Sequence, residues 1–311
     1  MSNEKMRVVK SNQLVNALQT LSLVETRLIQ LAIVDARETG QGLSADRPLE
    51  LNAHRYAAAF DVTPQAAYIA LLDAENTLFK RQFTIRNDDG TVTKSRWIQD
   101  ANYKKGAGRI LVTLTRVVIE HITRIDGFEQ CFTSYHLEQT STLKSVYAVR
   151  LYELLMQWKK TLKTPVFDIK VFRDQLGVGV NEYTTMSNFK KNVLDLAVLQ
   201  INENTDITAA YEQHKSGRTI TGFSFTFKPK KKTEKTAKVS KGEKAKPVQK
   251  QHGQQWGTSE NYVFKQLLQK CPGLTKKYVE DLAKDEDLSS VLNSMFMQHA
   301  KTDSFELEPC D

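Results

Sequence analysis

Thr184, Asn188 and Lys191 stand at helical spacing in the stretch YTTMSNFKKNVLDLA, residues 183–197. Wound at ~100° per residue, this stretch puts Met186, Phe189, Val193, Leu196 and Ala197 on one side. Thr184, Asn188, Lys191 and Asp195 fall opposite, flanked by Ser187 and Asn192. Such a face can hydrogen-bond a polyanion that has readable edges. Asn can pair bidentately with adenine, Lys can donate to guanine acceptors, and Ser or Thr can bond a phosphate or a base edge. The same residue types also make an ordinary solvated surface, so the face alone decides nothing.

Two groups of cations add context. Lys215 and Arg218 bracket Ser-Gly in an alternating segment, where a hairpin tip would straddle a sugar–phosphate backbone. Residues 76–116 hold nine Lys or Arg against three Asp, among them Arg81, Lys94, Arg96, Lys104, Lys105 and Arg109. Such a patch attracts phosphates without reading sequence. Trp97 and Tyr103 lie among these cations, a thin case for aromatic interleaving. Arg150 sits at the edge of an apolar helix face and is expected to pair with a carboxylate.

Other chemistries find no residues to carry them. There is no G-x-x-x-x-G-K-[ST] loop, no G-x-S-x-G, no H-E-x-x-H, and no H-x-H of the kind that holds a nickase metal. Three cysteines, Cys131, Cys271 and Cys310, lie far apart with no C-x-x-C, so neither a zinc site nor a disulfide framework is expected. No metal, cofactor or small-molecule substrate is therefore expected, and no enzymatic activity. The N-terminus leads into no apolar leader, and no run reaches the ~20 apolar residues of a membrane span. A cytoplasmic protein without a membrane partner is the expectation.

The net charge of +8 is concentrated. Residues 228–250 hold ten Lys and two Glu, which accounts for all of it. This run has few apolar residues and reads as a disordered linker, followed by an acidic tail with short helical patterns from Ser259. The folded part must therefore earn a nucleic-acid partner through local patches.

The elements that would position these residues recur. SLVETRLIQLAIVDARE and TLKSVYAVRLYELLMQWKK both read as helices and share R-L-x-x-L, at Arg27 and at Arg150. The first aligns Leu23, Leu28, Leu31 and Val34; the second aligns Leu143, Tyr147, Leu151, Leu154 and Trp158. Each is followed by a strand entering a short helix, LELNAHRYAAAF or PVFDIKVFRDQLG, and then by a longer helix with LLD or VLD. Arg27 to Leu72 spans 45 residues and Arg150 to Leu194 spans 44. Each unit ends in alternation around a turn: RQFTIRNDDGTVTKSRW in the first, ITAAYEQHKSGRTITGFSFTF in the second. Helix, short helix, longer helix and hairpin is the order of a winged helix. An α+β chain with two tandem winged helices follows, an internal duplication.

SVYAVRLYELLMQW, FRDQLG, FKKNVLDLAVLQINENTD and KSGRTITGFSFTF, with NALQTLSLVETRLIQLAIVDARE upstream, closely resemble iteron-binding plasmid replication initiators. The resemblance covers about residues 8–228. It implies an N-terminal winged helix over 8–125 for dimerisation and auxiliary DNA contacts, and a C-terminal one over 133–228 for sequence-specific binding. A linker over 229–258 and a helical tail over 259–311 lie outside it. By matching position, Thr184 to Asn192 is the recognition helix, with Thr184, Thr185, Ser187, Asn188, Lys190, Lys191 and Asn192 toward DNA and Lys215 and Arg218 in its wing. Thr219 follows the wing Arg where family members often carry another basic residue. The implied activity is binding of origin direct repeats as a monomer, opening of adjacent A·T-rich DNA, and recruitment of the host initiator and replicative helicase. A homodimer on an operator inverted repeat would repress the initiator's own promoter. A repressor alone, a rolling-circle nickase and a basic scaffold acting through the lysine run are the rival readings.

Overall fold

The computed structural model describes residues 6–44, 46–87, 89–103, 108–123, 131–230, 264, 267, 275–282 and 291–292. Residues 1–233 form one compact unit and 234–311 a second. The first unit opens with β1 (Arg7–Ser11), α1 (Asn12–Val15), β2 (Leu18–Gln19) and α2 (Leu23–Thr39). Then come β3 (Leu49–Asn52), α3 (Ala53–Phe60), α4 (Pro64–Leu78), β4 (Gln82–Arg86), β5 (Val92–Arg96), β6 (Ile98–Tyr103), β7 (Arg109–Leu114) and α5 (Arg116–Ile122). A second round follows: β8 (Phe132–His136), α6 (Glu138–Ser141), α7 (Val146–Met156), β9 (Phe167–Asp168) and α8 (Ile169–Leu176). It ends with α9 (Met186–Phe189), a π-helical stretch Lys190–Asp195, α10 (Leu196–Asn204), β10 (Ile207–Ser216) and β11 (Thr219–Pro229). In the second compact unit α11 (Lys276–Leu282) is helical, and Phe264, Leu267, Val279, Val291 and Leu292 are buried. The lysine run beyond Lys230 and most of the acidic tail, for which a disordered linker and further helices are expected, lie outside the described residues.

Helix starts follow from their caps. Ser22 and Glu25 form a reciprocal capping box on α2, while Asn52, Thr63, Ser145 and Asp168 cap α3, α4, α7 and α8. Pro64 then occupies the first turn of α4, where a missing N–H costs nothing. Helices α2 and α7 are each buried along most of their length, which makes them the two central helices. The R-L-x-x-L leucines are core residues in both: Leu28, Leu31, Leu151 and Leu154.

The expected duplication is present, with one addition. In the second half β9 leads into α8 and pairs with β11 of the hairpin β10–β11. In the first half β3 leads into α3 and pairs with β7 of the hairpin β6–β7. The first wing is therefore β6–β7. The hairpin over Asp88-Asp89-Gly90, read from sequence as the β part of that unit, is an extra insertion, β4–β5. It joins β2 in its own sheet and reaches α8 of the second winged helix through Arg86–Asp174 at 3.9 Å.

The two halves interlock through reciprocal contacts. Strand β1 pairs antiparallel with its counterpart β8, with Val9 opposite Ser134. The Arg27 guanidinium on α2 donates to the carbonyls of Ser141, the last residue of α6, and Leu143 just past it (2.9 and 3.1 Å). Reciprocally, Arg150 on α7 donates to the carbonyls of Val15, the last residue of α1, and Ala17 just past it (2.8 and 3.2 Å), and to the Gln175 carbonyl. Arg150 also pairs with Glu153 at 2.9 Å, the carboxylate partner expected from sequence. Beneath it Lys10 from β1 meets Glu153 at 2.6 Å, and Tyr135 donates to the same carboxylate at 2.5 Å.

Glycine settles two close approaches. Gly177 ends α8 at φ 78°, and a Cβ there would lie 2.6 Å from the Gln19 carbonyl oxygen. At Gly222 a Cβ would press into the Phe167 carbonyl oxygen, where β9 crosses β11. Gly222→Ala is therefore expected to cost about 2–3 kcal/mol in urea unfolding, because backbone rather than a flexible side chain must give way.

Candidate nucleic-acid interface

The polar stretch of the opening forms the first turns of the helix after α8, but not as an unbroken α-helix. Thr184 precedes the helix, and Thr185 is its N-cap, its hydroxyl accepting from the Asn188 N–H at 3.4 Å. Met186 is partly buried and Phe189 fully so. Over Lys190–Asp195 the turns widen to a π-helix, which inserts one residue into the helical phase. This overturns part of the uniform winding: Val193, Leu194 and Ala197 are buried, whereas Leu196 is 40% exposed.

The widened turn rests on the hairpin. The Tyr211 hydroxyl of β10 donates to Asp195 at 2.7 Å, and the Lys190 ammonium lies 5.7 Å over the Tyr211 ring and 3.3 Å from Gln213 Oε1. Burial first, and then the Asp195 carboxylate, push the Tyr211 phenol up, so it remains a donor. Asp195 and Lys190 are thus drawn toward the hairpin. Thr184, Ser187, Asn188, Lys191 and Asn192 are exposed. Asn192 spends its amide N–H on the Asn188 carbonyl (3.1 Å), whereas the side chains of Ser187, Asn188 and Lys191 make no hydrogen bond among the described residues.

At the hairpin tip Lys215 and Arg218 are exposed on either side of Gly217 (φ 60°), and neither makes an ion pair among the described residues. The register shifts between His214 and Lys215, which marks a bulge at the base of the tip. The hairpin's outer edge is capped at one residue. Asn202 of α10 accepts from the Ala209 N–H at 2.6 Å and donates to the Ala209 carbonyl at 2.9 Å, as a neighbouring strand would.

The first-half cations separate into different surroundings. Lys94 and Arg96 lie on the inserted hairpin, Lys94 exposed and Arg96 at 5.2 Å over the Phe79 ring. Arg81 is held by the buried Glu25 carboxylate at 2.8 Å, and Arg109 meets Glu50 at 3.1 Å. Lys104 and Lys105 fall between β6 and β7, outside the described residues, so their expected contacts lie there too. Trp97 is core, packed 4.7 Å from the Phe83 ring, so it does not stack among the surface cations. Helix α4 contains no Lys or Arg, whereas the helix at the corresponding place in the second half carries Lys190 and Lys191 in its π-helical stretch.

Sequence reasoning passed over Arg173, at the end of α8. Its guanidinium donates to the carbonyls of Tyr183 and Glu182 (3.0 and 2.6 Å) and lies 4.9 Å over the Phe189 ring. The motif FRDQLG was visible, but nothing in it reveals a backbone partner ten residues on.

Comparison with known proteins agrees with this architecture. Residues 7–156 match the model described as initiator replication protein WH1, and residues 168–227 match initiator Rep protein WH2. The PI protein of Escherichia coli is 24% identical over 257 residues, covering 72% of this chain and 83% of that protein. An uncharacterised 27.6 kDa Escherichia coli protein is 23% identical over 229 residues, covering 70% of this chain and 93% of its own. The crystal structure of the Pi initiator protein in complex with iteron DNA shares the fold, with a TM-score of 0.57 at 20% identity over 73% of this chain and 98% of that one. Two winged helices in order, matched over about two thirds of the chain, place it by family: this chain belongs to the initiator replication proteins.

Proposed function

We propose that the chain is a plasmid replication initiator that binds iteron direct repeats in double-stranded DNA through its second winged helix. The observation that carries this reading is the pairing of an exposed, uncommitted polar turn (Ser187, Asn188, Lys191) with two exposed wing cations, Lys215 and Arg218. In a winged helix the N-terminal turns of the second helix enter the major groove. Asn188 and Lys191 are the base-reading candidates; Thr184, Thr185, Ser187, Lys190 and Asn192 line the same approach. Lys215 and Arg218 face the phosphates. Lys94, with Lys104 and Lys105 beyond the described residues, supplies auxiliary phosphate contacts in the first half; Arg81, Arg96 and Arg109 would have to leave or share their present partners to do so.

On this reading a monomer in the bacterial cytoplasm grips each repeat, helps open the neighbouring A·T-rich segment and brings in the host initiator and helicase. A homodimer on an inverted repeat represses the gene. The resemblance to iteron-binding initiators and the likeness to the Pi–iteron complex support it, and no catalytic step is assigned to the chain. Footprinting of DNA adjoining the gene tests it: protection should fall on tandem repeats of about two helical turns. Protection of an inverted repeat alone would favour a repressor.

The lysine run supplies charge rather than sequence reading. Deleting residues 231–250 should weaken binding to random duplex and flatten the slope of log affinity against log salt, while preference for the repeat survives. If the deletion abolished preference as well, the basic-scaffold reading would replace this one.

A further inference from the structure

We propose that Arg173 is a positioning residue that sets the recognition turn for base reading; the inference rests on the DNA-binding role of α9. The segment between α8 and α9 has no regular structure of its own, and it must deliver Thr185 to the N-cap. Its last step is strained: Tyr183 sits at φ 44°, a left-handed conformation uncommon for a non-glycine residue. Something must hold it there, and Arg173 does so from three sides. Two guanidinium nitrogens donate to the consecutive carbonyls of Glu182 and Tyr183. The central carbon of the same group lies 4.9 Å over the ring of Phe189, the buried anchor of the first turn of α9. Further support comes from the Glu182 carboxylate, which accepts from the Tyr147 hydroxyl (3.2 Å) and the Gly179 N–H (3.0 Å), and from the Tyr183 ring edge-on to Tyr147. One side chain thus ties the end of α8, the strained turn and the start of α9 into a single geometry. Base contacts tolerate little misplacement, so this geometry governs discrimination.

The plainer role for an arginine here is a phosphate contact. The two roles separate because only a planar fork can bridge two carbonyls while lying on a ring, whereas either cation can meet a phosphate. The test uses full-length Arg173→Lys and Arg173→Gln, duplexes of about two helical turns recovered from a random pool by the wild-type protein, and scrambled controls. Positioning predicts that Arg173→Lys lowers the ratio of selected to scrambled affinity about tenfold or more with the salt slope unchanged. In the free protein, amide exchange over residues 184–189 should quicken while that of α7 does not. A phosphate contact predicts near-normal Arg173→Lys and a slope lower by about 0.9 in Arg173→Gln, which overturns the proposal. A lower melting temperature with ratio and local exchange unchanged also overturns it. If the wild-type protein recovers no common sequence from the pool, the DNA-reading function itself fails. The exchange measurement then still decides the clamp, and unaltered exchange over 184–189 rejects it.

Discussion

Glu153→Ala is expected to destabilise the first compact unit by about 3–5 kcal/mol, the usual cost of stranding a buried charge. Glu153 is fully buried and takes Lys10 from β1, Arg150 from its own helix, and hydrogen bonds from Tyr135 and Gln30. Burial alone would raise this carboxyl. The ammonium of Lys10, the guanidinium of Arg150 and the hydrogen bonds from Lys10 and Tyr135 more than offset it and hold it at about 2. Removing the carboxylate leaves both cations inside without a counter-charge. The sign of the pH dependence follows. A carboxyl depressed in the folded state stabilises fully above its ordinary value of 4.5, and that share is lost as pH falls toward about 2. Wild-type protein should therefore lose stability over that window more steeply than Glu153→Gln does. The double variant Lys10→Met with Glu153→Leu should cost less than Glu153→Ala, because one buried cation rather than two is then left without a counter-charge, and that one, Arg150, keeps its carbonyl partners. A Glu153→Ala cost below about 1 kcal/mol would mean that water reaches the site and that β1 is not locked against α7.

On DNA, Asn188→Ala and Lys191→Ala should each cost about 1–3 kcal/mol on a repeat duplex and relax preference at one base position. Both side chains are exposed and uncommitted, so neither change should disturb folding. The neighbours serve as contrasts. Thr185→Ala removes a cap and should cost about 1 kcal/mol of helix stability. Lys215→Ala should weaken repeat and random duplex alike and lower the salt slope by about 1. If the Asn188 and Lys191 variants bound both duplexes as wild type does, the helix from Met186 through its π-helical stretch would not be the reading element.

How far the sequence disclosed this depended on whether a feature repeats. The R-L-x-x-L helices, the strand-to-helix entries and the lysine-tipped hairpin were legible, because apolar periods of 3.6 and 2 repeat along each. The inserted hairpin β4–β5 was legible as a hairpin yet misassigned as the wing. Asp-Asp-Gly is a strong turn signal, while the segment before Arg109, with glycines but no Asp-Gly or Asn-Gly pair, joins the strands of the actual one. The π-helical stretch left no trace, since one residue inserted into the helical phase changes no composition. That is why Leu196 was placed inside and Leu194 overlooked. Arg81 read as a phosphate-attracting cation and Arg27 and Arg173 were given no role, yet all three are held by Glu25 or by backbone carbonyls distant in sequence.

The most direct test is a fluorescence-anisotropy titration of the full chain against one tandem repeat and its scrambled counterpart at physiological salt. A sequence-reading winged helix predicts repeat affinity tighter by about a thousandfold or more. Equal affinity for the two duplexes would contradict it and leave only a basic protein that holds DNA by charge.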